Sequence, residues 1–267
     1  MTNEMREREG EGEGEREQLL RQKNNNGYYV KKDCLSVDSI NTFFSSFKKI
    51  VEFFLQTDLS KCSDFTSVEL SSILIETRLK NPKIFSAIYD TLLKSNAINK
   101  LIYSNSLDKY ASEFLDTKPD IIYTHGIQLR MDTPHDTRNV YDWHQDSAYD
   151  GINLVPSNGV ISWCPLIDTN INNGTLIVCP QSHSEPNHIN ETRIQSPGIT
   201  RQVTVPNFII EKYKELSVPV KSGDSLLSYA NLIHKSGVNV STNIRFTLLV
   251  RFNIIVTKDF FLYNKLL

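Results

Sequence analysis

The chain has 267 residues, 39% of them hydrophobic and 22% charged, with a formal net charge of -2. That is enough chain to bury a substantial core in one domain, and the balanced charge lacks the basic footprint that neutralises phosphates, so a small-molecule partner is expected and nucleic acid is not. No run approaches the ~20 apolar residues of a bilayer-spanning helix, and the N-terminus carries Glu, Arg and Gly where a signal peptide needs an apolar stretch. A cytoplasmic protein with no membrane partner is expected, and no oligomeric state is assigned.

Residues 1–27 are Glu, Arg, Gly, Gln and Asn with hardly an apolar side chain. Such a segment buries too little to offset an ordering cost of ~1 to 2 kcal/mol per residue, and it is expected to be a disordered tail. The rest, 28–267, is expected to form a single domain, with helical support over about 35–115 and a β core over about 120–256. Ile40, Phe43, Phe44, Phe47, Ile50, Val51, Phe54 and Leu55 recur at three- and four-residue steps, the stripe of a helix beginning near Ser36 or Asp38. A second helix is predicted over Val68 to Leu79. A third should start at Asn81-Pro82, with Asn81 as cap and Pro82 at the first helical position.

After Pro119 the period shortens to two. Over Ile121 to Met131, the residues Tyr123, His125, Ile127, Leu129 and Met131 alternate with Thr124, Gly126, Gln128 and Arg130. Further strands are predicted at Val160–Ile167, Thr175–Cys179, Arg201–Val205, Val218–Val220, Ser225–Tyr229 and Arg245–Ile255. In the last, Arg245, Thr247, Leu249, Arg251 and Asn253 share one face; Phe246, Leu248, Val250, Phe252 and Ile254 share the other, which can pack on the helices. Arg245 then points into the mouth of an antiparallel sandwich or barrel, where a cation wants an anionic partner. The four cysteines Cys34, Cys62, Cys164 and Cys179 lack metal-clip spacing and are read as reduced, partly buried thiols.

The centre of the chain carries the chemistry. In extended backbone, Trp143-His144-Gln145-Asp146 puts His144 and Asp146 on one face and Gln145 on the other. His234, in Asn231-Leu232-Ile233-His234-Lys235-Ser236-Gly237, offers a third ligand. Two histidines and one carboxylate make the facial triad of non-haem Fe(II) oxygenases, with positions left open for substrate and O2. The planar two-pronged guanidinium of Arg245 suits the far carboxylate of a co-substrate such as 2-oxoglutarate.

At these residues the chain resembles the phytanoyl-CoA dioxygenase (PhyH) family of Fe(II)/2-oxoglutarate oxygenases. The blocks are Trp143-His144-Gln145-Asp146, Asn173-Gly174-Thr175-Leu176 leading to Pro180-Gln181-Ser182-His183, Gly223-Asp224-Ser225-Leu226-Leu227, and His234-Lys235-Ser236-Gly237 with Arg245 downstream. The resemblance implies a mostly β fold, a double-stranded β-helix (jelly roll, cupin-like) supported by N-terminal helices. It implies iron on His144, Asp146 and His234, 2-oxoglutarate gripped by Arg245, and co-substrate contacts from Ser236, Tyr141 and Gln128. The implied reaction consumes O2 and 2-oxoglutarate, releases succinate and CO2, and hydroxylates a small metabolite; the carboxylate at Asp146 favours this over halogenation. The family's glycine in the Pro-Gly-Ser-His turn is Gln181 here, a departure that bears only on that turn's local geometry.

Other readings stand beside these. A zinc hydrolase can use two histidines and a carboxylate, but no general-base glutamate accompanies the motif. A sensor that holds metal and 2-oxoglutarate without turnover would keep the same residues. His183 is read as a brace for a loop over the site, and His125, His135 and His188 as structural or solvated. Trp143 and Trp163 either line a substrate pocket or fill core. Tyr149 and the loop 150–153 are substrate-contact candidates by position.

Overall fold

In the computed structural model, residues 3–136, 140–149, 158–185, 191–193 and 202–255 are described. The first element is helix α1 (Asn3–Asn26), within the segment whose composition reads as a disordered tail. Its composition is as poor in apolar residues as the sequence suggests, yet Leu19 and Lys23 are buried. Lys23 Nζ donates to the carbonyl of Phe114 at 2.8 Å and meets Asp116 at 2.5 Å. A lysine stem buried along apolar surface, its ammonium on a helix C-terminal carbonyl, docks a segment that hydrophobicity alone would leave free.

Helix α2 (Val37–Leu55) starts where the periodicity puts it, with Ser36 Oγ accepting from Ser39 N. Helix α3 (Val68–Lys80) is capped in the same way by Ser67. Helix α4 (Pro82–Lys94) has Pro82 at its start, but the Asn81 side chain makes no cap. Asn81 ends one helix and begins the next, so its backbone does both jobs: its N–H donates to Thr77 O, and its carbonyl accepts from Ile84 and Phe85. Two short helices not foreseen, α5 (Asn96–Tyr103) and α6 (Leu107–Phe114), complete the helical layer.

The main sheet contains β1 (Tyr28–Lys31), β2 (Ile122–Asp132), β3 (Gly159–Pro165), β8 (Ser225–Tyr229) and β10 (Arg245–Ile254), in the antiparallel order β1-β8-β3-β10-β2. A smaller sheet joins β4 (Leu176–Val178), β7 (Leu216–Val218) and β9 (His234–Ser236) in the order β7-β4-β9. A separate ribbon pairs β5 (Glu191–Arg193) with β6 (Gln202–Thr204). β1, β2 and β3 all lie in the main sheet, whereas from β7 to β10 successive strands alternate between the two larger sheets, the winding of a double-stranded β-helix. The region expected as strand at Val218–Val220 pairs slightly earlier, and β1, β5 and β9 were not foreseen.

Two faces of the main sheet do different work. Phe246, Leu248, Val250 and Phe252 of β10 pack into the helices, with the Phe246 ring 4.8 Å from Phe65 and 5.7 Å from Phe47. Each such side chain withdrawn from water contributes ~1.5 to 3 kcal/mol. The opposite face contributes Ile161, Trp163, Leu226 and Leu249, which meet Val178 and Val218 of the smaller sheet. The cleft between these sheets holds the candidate site. All four cysteines are buried and unpaired, in line with reduced thiols. Among the described residues no helix is long and apolar enough to cross a membrane.

Candidate metal centre

The segment 141–144 runs beside β9. His144 N donates to His234 O at 2.9 Å, His234 N returns a bond to His144 O at 3.0 Å, and Ser236 N donates to Tyr141 O at 3.0 Å. This pairing places two histidines from distant parts of the chain directly opposite each other, with ring centroids 4.2 Å apart. Gln145 turns to the other face, as the alternation requires, and its Nε2 donates to Asn231 O at 2.7 Å. Asp146 then opens a one-turn 3-10 helix (Asp146–Ala148) that carries its carboxylate back toward the imidazoles.

The donor atoms of His144, Asp146 and His234 all lie within 4.8 Å of one another, and all three residues are buried. His144 Nε2 is 4.0 Å from Asp146 Oδ1, and His234 Nε2 is 3.8 Å from Oδ2. Each ring is oriented by its other nitrogen. His144 Nδ1 donates to Asp142 O at 2.7 Å and His234 Nδ1 donates to Leu232 O at 3.0 Å. Since a carbonyl only accepts, both Nδ1 atoms carry the proton and both Nε2 lone pairs face the shared point, the usual arrangement of metal-ligating histidine.

Electrostatics agree with a metal. Burial, reinforced by His234, pushes the His144 pKa down to about 3, so the imidazole is neutral near pH 7. Burial alone would raise the Asp146 pKa, but Arg251 and the two histidines outweigh it and hold the carboxyl well below the usual range. Arg251 Nη2 donates to Asp146 Oδ1 at 2.8 Å. Oδ2 is buried with no hydrogen-bond partner, a costly state for a carboxylate oxygen that a cation would relieve. The set is compatible with iron: two neutral nitrogens, one anionic oxygen, and the orphaned oxygen aimed among them.

The triad opens into a cavity of about 240 Å³. Gln128, Tyr141, Ser236 and Arg245 all line it, so the four expected co-substrate contacts share one space with the three expected ligands. Arg245 comes with companions that sequence reasoning missed. Its Nη2 donates to Asp132 Oδ2 at 2.6 Å, and Nη1 donates to Gly237 O at 3.3 Å and Asn173 O at 3.4 Å. Arg130 grips the same carboxylate through Nε at 3.0 Å and Nη2 at 2.8 Å. The anionic partner expected for Arg245 is thus supplied from within the chain. The signal was present, because the alternation that put Gln128 and Arg130 on one face of β2 reaches Asp132 one step later. Arg251 was likewise on the right face of β10, but its contact with Asp146 depends on the fold.

Gly174 lies against this arginine with φ +88, and a Cβ built there would sit 2.6 Å from Arg245 Nη1. Glycine is required on both counts. Gln181 adopts φ +72, the left-handed region in which the family's glycine would rest, and it holds its turn without one.

The remaining candidates separate cleanly. Trp163 lines the cavity, whereas Trp143 is buried on the outer side with Cys179, Val205, Ile209, Ile210 and Ile233, and Lys235 Nζ lies 4.2 Å over its ring. Tyr149 lines the cavity, its hydroxyl donating to Val203 O at 3.1 Å and accepting from Val203 N at 2.8 Å. His183 stands apart from the triad. It stacks on Tyr229 and shares a 3.2 Å hydrogen bond with Asn24 O, so it braces the end of α1 against the loop before β9. His135 sits in a turn, and His188 and the loop 150–153 lie outside the described residues.

A double-stranded β-helix with a His-x-Asp and a distant His converging in its cleft defines a mononuclear metal protein of the cupin-like type. The chain matches phytanoyl-CoA dioxygenase (PhyH) over residues 24–247, and it belongs to that family. No curated protein sequence matches it. Among solved structures, the epimerase SnoN from nogalamycin biosynthesis, in complex with Fe3+, alpha ketoglutarate and nogalamycin RO, aligns at TM-score 0.59 and 14% identity over 90% of this chain and 84% of its own. EctD from S. alaskensis with bound Fe aligns at 0.56 and 18%, over 88% and 75%. The non-heme monooxygenase ThoJ aligns at 0.61 and 13%, over 89% and 78%. At these identities the likeness is one of fold.

Proposed function

We propose that this protein holds Fe(II) on His144, Asp146 and His234 and uses 2-oxoglutarate and O2 to hydroxylate a small metabolite, with release of succinate and CO2. One observation carries the reading. Asp146 Oδ2 is buried without a partner beside two Nε2 lone pairs whose rings are locked through Nδ1. Iron bound there supplies the redox change that couples decarboxylation of the co-substrate to oxidation of a substrate C–H bond.

The chain's own residues supply recognition. Arg245 is anchored on Asp132, beside Arg130, and presents its guanidinium to the distal carboxylate of 2-oxoglutarate. Arg245 Nε is buried without a partner, so this guanidinium retains an N–H to give. Tyr141 and Ser236 offer hydroxyls and Gln128 an amide along the path from the metal toward Arg245. Ile161, Trp163, Leu176 and Leu249 form an apolar wall that limits water and suits the carbon skeleton of a substrate. Asp146 is the one carboxylate among the described residues lining the cavity, so the general base of a zinc hydrolase finds no support there.

The test is anaerobic titration of metal-free protein with Fe(II) and 2-oxoglutarate. A weak visible charge-transfer band of the chelated 2-oxo acid should appear, and it should vanish in His234→Ala. Folded, iron-containing protein without the band would overturn the reading.

A further inference from the structure

The two oxygens of Asp146 have unequal surroundings. Oδ1 accepts from Arg251 Nη2 at 2.8 Å, whereas Oδ2 is buried, accepts from nothing and lies 3.8 Å from His234 Nε2. Arg251 reaches this position because it faces the cleft at the point where the β2–β10 register shifts, between Arg251 and Phe252. Bulges of this kind re-aim side chains. Its cross-strand partner is Gly126, which has no side chain to compete for the space.

That asymmetry bears on coordination number. Two imidazoles and a carboxylate leave three of six octahedral positions open only if the carboxylate binds through one oxygen. Carboxylates also bind metals through both oxygens, and a chelating Asp146 would leave two positions. A bidentate 2-oxo acid would fill both and leave none for O2. We infer that Arg251 is a positioning residue that keeps Asp146 monodentate by occupying Oδ1, thereby reserving the third open position. The inference rests on the proposed Fe(II)/2-oxoglutarate function and deepens it.

Arg251 acts in two opposed ways, which makes its role separable from a structural one. Its hydrogen bond preserves an open position and so favours co-substrate chelation, while its positive charge beside the site opposes a divalent cation. Removing it should tighten metal binding and weaken 2-oxoglutarate binding. A side chain that merely supported the fold would weaken both.

The experiment titrates Mn(II), a redox-silent stand-in, into metal-free protein and counts exchangeable metal-bound waters by proton relaxation, independently of turnover. Wild type should show about three waters and Arg251→Met about two, with Mn(II) bound more tightly and 2-oxoglutarate bound at least about tenfold more weakly by the variant. Arg251→Lys, which retains a charged donor, should recover most of the 2-oxoglutarate affinity. Two waters in wild type would overturn the inference without recourse to any variant. So would three waters and unchanged 2-oxoglutarate affinity in a folded Arg251→Met, or a parallel loss of metal and co-substrate binding that lysine does not rescue. Failure of wild type to bind Mn(II), or equal binding by His234→Ala, would instead remove the metal-site reading on which the inference stands.

Discussion

Arg245 and Asp132 face each other across the β2–β10 register, and the guanidinium Nη2 donates to the carboxylate at 2.6 Å with both side chains buried. The arginine proposed to receive 2-oxoglutarate is therefore anchored before any ligand arrives. Anchoring matters because a free arginine side chain carries ~2 kcal/mol of rotamer entropy, and a pre-positioned one loses less on binding. Arg245→Lys should raise the 2-oxoglutarate requirement by roughly ten- to a hundredfold, the ~1.5 to 3 kcal/mol of a charge-assisted contact. KM for 2-oxoglutarate in an uncoupled decarboxylation assay is the measure, and an unchanged value would remove Arg245 from this role.

Asp132 makes stability depend on acid. Burial alone would raise its pKa, but Arg130 and Arg245 outweigh burial and hold it at about 2, below the ~3.9 of an unfolded aspartate. A group whose folded pKa is depressed contributes stability above its unfolded pKa and loses it as pH falls through the folded value. The contribution, on the order of 2 kcal/mol, should be intact above about pH 4 and fade toward pH 2. Urea unfolding across that range should show the slope in wild type and a flatter profile in Asp132→Asn. The variant should also be less stable near neutrality by about 3 to 5 kcal/mol, since it leaves buried guanidinium charge uncompensated.

Substitution of a ligand should abolish turnover and spare the fold. His144→Ala, His234→Ala and Asp146→Ala are each expected to lose iron-dependent 2-oxoglutarate consumption, measured as succinate formed, while far-UV circular dichroism stays unchanged. Full activity in any folded variant of the three would sink the assignment of that residue.

Gly174→Ala tests the approach of backbone to Arg245. Positive φ and a Cβ 2.6 Å from Nη1 make the site intolerant of a side chain. The variant should lose about 1 to 3 kcal/mol of stability and bind 2-oxoglutarate more weakly through a displaced guanidinium. Chemical denaturation and the same KM measurement report the two effects.

Docking of α1 is testable at Lys23. Its ammonium satisfies the Phe114 carbonyl at 2.8 Å inside the protein. Lys23→Met should destabilise the fold by about 1 to 3 kcal/mol through the orphaned carbonyl, with metal affinity unchanged because the contact is remote from the triad. An unaltered urea midpoint would mean that α1 contributes nothing through this residue.

The sequence by itself determined the parts set by local periodicity and chemical type. The stripe from Ile40 to Leu55 required α2, the alternation in β10 sorted Phe246 from Arg245, and two histidines with an aspartate in His-x-Asp spacing identified the candidate metal ligands. These follow from the geometry of one helix or strand and the coordination preferences of side chains. Tertiary structure alone decided which polar groups meet. Local alternation places Asp132 and Arg251 on their faces, but that Asp132 finds Arg245, Arg251 finds Asp146 and Lys23 finds the Phe114 carbonyl depends on pairings between distant segments. For the same reason α1 is docked although its composition reads as disordered, and β9 exists although three residues are too few to announce a strand. Both owe their conformation to what they pack and pair against.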